Sequence, residues 1–208
     1  MTGVLGERKD EERSRPSLVL ASGSPRRREL LAGLGVDFTV RPVDVDETPL
    51  RREAPHDYVL RLGRAKGAAR IDAGEVVLAA DTIVVLDGDL LGKPEGPAQA
   101  IAMLGRLAGR RHEVLTGVSV RDAAGFEALA VESTRVDLSA MSEAEIRWYV
   151  DTGEPLDKAG AYAVQGLGAL FVDRLEGSYS NVVGLPLART YRLFQEIGRD
   201  LRDFRSPG

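Results

Sequence analysis

The sequence predicts an α/β fold, with strands and helices alternating along the chain. Three features predict it. Leu18 to Gly35 reads as a short apolar strand, a small-residue turn and a helix. Glu75 to Leu86 is a long apolar run of strand character. Two further stretches, Pro55 to about Ala73 and Pro97 to Leu107, carry apolar residues at helical spacing behind a starting proline.

The first 16 residues hold the mixed charges Glu7-Arg8-Lys9-Asp10-Glu11-Glu12-Arg13 and no apolar core of a signal peptide, so they read as a disordered tail. Residues 17–208 follow as one domain. Hydrophobic residues make up 43% of the chain, ample for a core.

Leu18-Val19-Leu20 forms the first strand and Ala21-Ser22-Gly23-Ser24 the turn. Ser24 is placed as N-cap, Pro25 at the first helical position, Leu30, Leu31 and Leu34 on one face, and Gly35 at the end. Arg26, Arg27 and Arg28 then fall in the first helical turn, where the helix dipole disfavours cations unless an anion offsets them. Free N–H groups, the Ser22 and Ser24 hydroxyls and these arginines would together cradle a phosphate. A solvated basic turn is the competing reading.

Phe38 to Val40 reads as a strand, followed by the acidic loop Val43 to Pro49. Asp44, Asp46 and Glu47 suit a metal ion, or serve only solubility. In the helix from Pro55, Lys66 stands among small residues, either snorkelling to solvent or reaching a phosphate. Asp81 and Thr82 interrupt the apolar strand Glu75–Leu86. A buried carboxylate needs a partner, which favours a metal ligand or base over a structural turn cap.

Asp87-Gly88-Asp89 makes a hairpin turn. The following Gly92-Lys93-Pro94 mimics a phosphate loop, but its spacing is one residue short of the Walker pattern and no Ser or Thr follows the lysine. Lys93 can still present an ammonium to phosphate. The helix Pro97–Leu107 is expected to bury Ala98, Ile101, Leu104 and Ala108. Two long strands, His112 to Arg121 and Phe126 to Leu138, come next, then a capping box at Ser142–Glu145 opening a helix to Tyr149 or Val150. Trp148 and Tyr149 read as core or interface. A strand is expected over Ala169–Val172, a loop over Gly177–Leu187 and a C-terminal helix ending near Leu201. Dense glycine between Gly160 and Gly168 means close backbone approach, to a ligand or to another segment. Tyr162 and Gln165 suit stacking on a base and hydrogen-bonding it.

Composition excludes several classes. The absence of cysteine removes disulfides and thiolate metal sites, and two histidines far apart make no zinc site. The net charge of −4 offers no basic field for nucleic acid, and no apolar run spans a bilayer. These readings place the protein in the cytoplasm. No G-x-S-x-G, H-E-x-x-H or G-x-G-x-x-G motif is present.

The ordered set Ala21-Ser22-Gly23-Ser24-Pro25-Arg26-Arg27, Asp46-Glu47, Arg61-Leu62…Lys66, Ala80-Asp81-Thr82, Gly92-Lys93-Pro94, Asp157-Lys158-Ala159-Gly160-Ala161-Tyr162 with Gln165-Gly166, and Asn181-Val182-Val183-Gly184-Leu185-Pro186 resembles the Maf family of nucleoside triphosphate pyrophosphatases. The resemblance implies a mixed, twisted sheet with flanking helices and a central nucleotide-binding cleft of the Maf and inosine triphosphatase type, often in a homodimer. It implies hydrolysis of a nucleoside triphosphate to monophosphate and diphosphate with a divalent cation, Mg²⁺ or Mn²⁺. Asp81 matches the family's proposed proton acceptor, and Arg26, Thr82 and Gln165 match its specificity positions. The A-Y-x-x-Q pattern resembles the dTTP- and UTP-preferring branch, with modified nucleotides as further candidates.

The two readings meet in one expectation. Glu47 and Asp81 hold the metal, Ser22, Arg26, Arg27, Lys66 and Lys93 bind the phosphates, and Gln165 reads a pyrimidine edge. A nucleotide-binding regulator of septum formation, with incidental hydrolysis, is the alternative.

Overall fold

The computed structural model describes residues 16–205, except residue 69. The tail expected over residues 1–16 thus falls, apart from Pro16, outside the described residues, as does Ala69.

The architecture is a seven-stranded mixed sheet flanked by helices. Strand β1 (Ser17–Leu20) leads into helix α1 (Pro25–Ala32), then β2 (Thr39–Val40), α2 (Pro55–Gly67), β3 (Glu75–Leu86), β4 (Asp89–Leu91), α3 (Pro97–Leu107), β5 (Arg111–Asp122), β6 (Glu127–Leu138), α4 (Glu143–Asp151), β7 (Val172–Glu176), α5 (Tyr179–Val183) and α6 (Leu187–Glu196). The sheet order is β2-β1-β3-β5-β6-β7, with β4 paired to β3. β2, β1 and β3 run parallel, and the remaining pairings are antiparallel.

β3 is the central strand, and its neighbours on one side are interrupted. β1 pairs with Glu75–Leu78 and β4 with Val84–Leu86. Between them, Ala79–Ile83 have a partner only in β5, where Asp81 faces Gly117 and Thr82 faces Thr116. The site is built around that gap.

Alternation along β3 sends successive side chains to opposite faces. Val76, Leu78 and Ala80 enter a core with Leu18, Leu20, Leu31, Leu193 and Phe194. Val77 and Ala79, with Ile83 beyond them, look the other way, toward α2 and the end of β1. α2 lies very close to the sheet. A Cβ added at Gly117 would collide with the carbonyl of Val59, and one at Gly63 would meet the carbonyl of Gly117 at 2.9 Å. Glycine at both positions lets the helix backbone rest on β5.

Several expectations need correction. α2 stops at Gly67 rather than near Ala73, because the chain must turn back into β3. Arg41 holds that turn, donating to the carbonyl of Arg70 at 2.8 Å and to both carboxylate oxygens of Glu75. The buried face of α3 is Ala100, Met103, Leu104 and Leu107, while Ala98 is exposed, so the expected stripe is rotated around the helix. Residues 166–171 form a 3-10 turn instead of a strand, and β7 starts only at Val172. β7 carries Asp173, Arg174 and Glu176, as suits an edge strand with little to bury. The expected Gly177–Leu187 loop holds α5, started by the Ser178 hydroxyl accepting from Asn181 N. The capping box at Ser142 and Glu145 forms as expected.

Candidate nucleotide cleft

The gap beside β3 opens into a cavity of about 960 Å³, within the range of small-molecule sites. Asp81 stands in its floor, only 8% exposed. Lys66, from the last turn of α2, donates to Asp81 Oδ1 at 2.6 Å and to Glu47 Oε1 at 2.6 Å. Lys66 thus neither snorkels to solvent nor lies free for phosphate. Its ammonium bridges two carboxylates from distant segments. Glu47 is brought there by its own main chain, whose carbonyl accepts from Tyr58 Oη at 2.9 Å. Burial, together with the negative charges of Asp81 and Glu47, pushes the Tyr58 pKa up to about 12, so this donor stays protonated. No local motif marks Tyr58 in the sequence. Its signal was the spacing Tyr58, Leu62, Lys66, which is one helical face. Asp46 folds back on its own loop by accepting from Thr48 N at 2.9 Å.

The opposite wall is the start of α1. Ser24 occupies the N-cap position with extended backbone but makes no side-chain cap bond. The first-turn amides thus keep no capping side chain, which is the condition for an anion to dock there. The three arginines part company at this point. Arg28 is exposed. Arg26 lines the cleft and reaches across it to Asp157, at 3.4 Å to Oδ2.

Arg27 turns inward, 8% exposed. It donates to the carbonyls of Gly184 at 2.7 Å and Ala80 at 2.8 Å, and to the hydroxyls of Ser22 at 3.0 Å and Thr82 at 2.9 Å. Burial lowers its pKa and nearby Asp81 partly offsets this. Most of its donors are spent inside the protein, so its placement differs from that of the phosphate ligand expected from the motif. Arg27 instead stitches β1's turn, β3 and the end of α5 together beneath the cleft. Ser22 and Thr82 are drawn into the same lattice, and the Thr82 hydroxyl also meets that of Thr116 at 2.9 Å.

The far end holds Lys93 and Gln165. Lys93 is exposed at the rim, and no acidic partner pairs with it among the described residues. Gln165 lines the cavity and its side-chain amide carries no bond from the described residues. Tyr162 does not stand beside it as an open stacking platform. The ring is 6% exposed within the core of α3, α4 and β5, and its hydroxyl lies 2.8 Å from His112 Nε2. The dense glycines resolve in favour of another segment: a Cβ at Gly166 would strike the Glu154 carboxylate, and one at Gly168 the Tyr149 hydroxyl.

A model of the family described as "Maf-like protein" matches residues 17–197 of this sequence. The chain belongs to the Maf-like protein family. Among its relatives is the dTTP/UTP pyrophosphatase of Anaeromyxobacter dehalogenans (strain 2CP-C), 59% identical over 88% of this chain and 95% of that one. Those of Myxococcus xanthus (strain DK1622) and Hahella chejuensis (strain KCTC 2396) are 54% and 52% identical, over 94% and 96% of their lengths and 88% and 91% of this chain. The Ham1 protein of Staphylococcus aureus overlays with a TM-score of 0.42 at 15% identity, over 73% of this chain and 77% of that one.

In this Maf-like chain, one ammonium is held between two carboxylates. The Lys66 ammonium sits where Glu47 Oε1 and Asp81 Oδ1 converge, so the two carboxylates already serve one positive charge. Among the described residues no group of three or more His, Cys, Asp or Glu side chains forms a metal cage. Two carboxylates are what Mg²⁺ takes from a protein when phosphate oxygens and water complete its shell. The donor set therefore fits a hard divalent ion arriving with a phosphate substrate. No helix among the described residues is long and apolar enough to cross a membrane.

Proposed function

We propose that this chain hydrolyses nucleoside triphosphates, dTTP and UTP foremost, to the monophosphate and diphosphate. One observation carries the reading: in the gap of β3, the Asp81 carboxylate faces a space bounded by cations from α1, α2 and the Lys93 turn. The pyrimidine preference is supported by the names of relatives more than half identical over nearly their whole length.

Asp81 orients a water and accepts its proton as the oxygen attacks the α-phosphorus. The new bond is oxygen to α-phosphorus, and the bond to the bridging oxygen breaks, so diphosphate leaves. Catalysis of this kind is positioning plus charge stabilisation. Arg26, Lys93 and the uncapped start of α1 neutralise the phosphate chain, with Lys66 completing the set when it leaves Glu47. Glu47 and Asp81 would hold a divalent ion, Mg²⁺ or Mn²⁺, which when bound supplies further charge neutralisation on the phosphate oxygens. Gln165 reads the pyrimidine edge with its amide. Arg27, Ser22 and Thr82 hold these groups in place from below.

The unit responsible is the whole of residues 17–208, and a cytoplasmic homodimer is its proposed setting. The test is product analysis on a panel of canonical and modified triphosphates, with and without Mg²⁺ or Mn²⁺. Diphosphate and monophosphate in equal amounts, fastest from dTTP or UTP, is the expected result. Release of inorganic phosphate instead would move the attack to the γ-phosphorus and overturn the assignment. Saturable nucleotide binding without turnover would favour the regulator of septum formation.

A further inference from the structure

We propose that Glu154 is the positioning residue that sets nucleobase selection, by clamping the segment that carries Gln165. The proposal rests on the base-reading role given to Gln165 above.

Gln165 immediately precedes the 3-10 turn Gly166–Phe171, and its side chain has no anchor of its own among the described residues. Its position is therefore inherited from the turn. The turn in turn is held by one carboxylate. Glu154 Oε2 accepts from Leu167 N at 2.9 Å, and Oε1 accepts from Gly168 N at 2.9 Å. These are orphan amides at the start of a helical turn, and a carboxylate is the strongest acceptor available for them.

Glu154 is itself fixed. Its Oε1 also accepts from the hydroxyl of Tyr149 at 2.8 Å, and that hydroxyl receives the amide of Ala163 at 3.1 Å. Tyr149 is fully buried, so the chain of contacts runs from the core to the turn. Burial raises the Glu154 pKa, but the amides of Leu167 and Gly168 and the Tyr149 hydroxyl more than offset it, and the carboxylate is held below its usual range. Gly166 has φ +69°, and a Cβ there would run into the carboxylate, so the backbone is seated directly on it. Asp157 and Lys158, on the same stretch, tie it to Arg26 and to the carbonyl of Glu154. Phosphate-side and base-side groups thus meet on one short segment.

Glu154→Gln keeps the size of the side chain but offers one acceptor oxygen instead of two. The measurement is kcat and KM for UTP and for CTP, in the native protein and the variant, with thermal melting alongside. Loss of one hydrogen bond to a charged group predicts a roughly tenfold fall in the ratio of kcat/KM for UTP over CTP, borne mainly by KM. The value of kcat on UTP stays within about threefold. Tyr149→Phe, which removes one of the three donors, shifts the ratio the same way by a smaller factor and serves if Glu154→Gln does not fold. A folded variant of lowered melting temperature with an unchanged UTP-to-CTP ratio would overturn the proposal, since a purely structural residue behaves so. If the native chain turns over no triphosphate, the failure belongs to the proposed reaction. The ratio is then read from equilibrium binding of UTP and CTP, where equal preference in native and variant overturns the clamp independently.

Discussion

The Arg27 guanidinium donates to the main-chain carbonyl of Ala80 at 2.8 Å, at the stretch of β3 that neither β1 nor β4 reaches. A central strand cannot leave a buried carbonyl bare, and where no neighbouring strand supplies an amide a side chain must. The opening of the cleft and the burial of this arginine are therefore one event. Lysine cannot reproduce a fork that serves Gly184, Ser22, Ala80 and Thr82 together. Arg27→Lys should destabilise the fold by about 3 kcal/mol, two bonds to a charged donor at roughly 1.5 each. That corresponds to a fall of about 6–12 °C in melting temperature. A change confined to KM, with unaltered melting, would instead return Arg27 to direct phosphate binding.

Asp81→Asn removes the proton acceptor while keeping a group that can bond Lys66. General base loss lowers kcat by about 10² to 10⁴. Nucleotide affinity, followed by fluorescence or calorimetry, should change far less. Full turnover in the variant would exclude Asp81 as the base.

Glu47 is the exposed half of the pair bridged by Lys66, with 58% of its side chain accessible. Glu47→Gln should therefore change stability by less than about 0.5 kcal/mol. Its effect belongs in the Mg²⁺ or Mn²⁺ titration of activity, where the half-saturating concentration should rise by an order of magnitude or more. A rise of the same size in KM for a triphosphate at saturating cation would point to direct phosphate contact instead.

His112 is a built-in pH dependence away from the chemistry. Burial pushes its pKa down to about 4. Below pH 6.5 the unfolded chain takes up a proton that the folded chain accepts only near pH 4, so unfolding is favoured as pH falls. The folded state keeps its full margin above about pH 6.5 and loses about 3 kcal/mol of it by pH 4. Urea melts of the native chain and of His112→Gln across that window should diverge, with the shallower slope in the variant. Parallel slopes would show that His112 is protonated in the folded state.

Much of this molecule could be read from residue order alone. The apolar run from Glu75 to Leu86 and the prolines at 25, 55 and 97 mark elements whose type depends on neighbours a few residues away. The Ser142–Glu145 box belongs to the same class, because its hydrogen bonds close within one turn. The motif set from Ala21 to Pro186 is likewise visible, since it is a property of order and spacing. What residue order could not decide is where each charged group points. Three successive arginines look equivalent in sequence, but helical geometry puts Arg27 toward the sheet, Arg26 across the cleft and Arg28 into solvent. The contacts of Lys66 and Tyr162 were hidden for the same reason. The partners that hold them, Asp81 with Glu47 and His112, lie 15 to 50 residues away, and only the packed sheet brings them within hydrogen-bonding distance. Local chemistry determined the elements. The long-range demand that every buried charge and carbonyl find a partner decided the site.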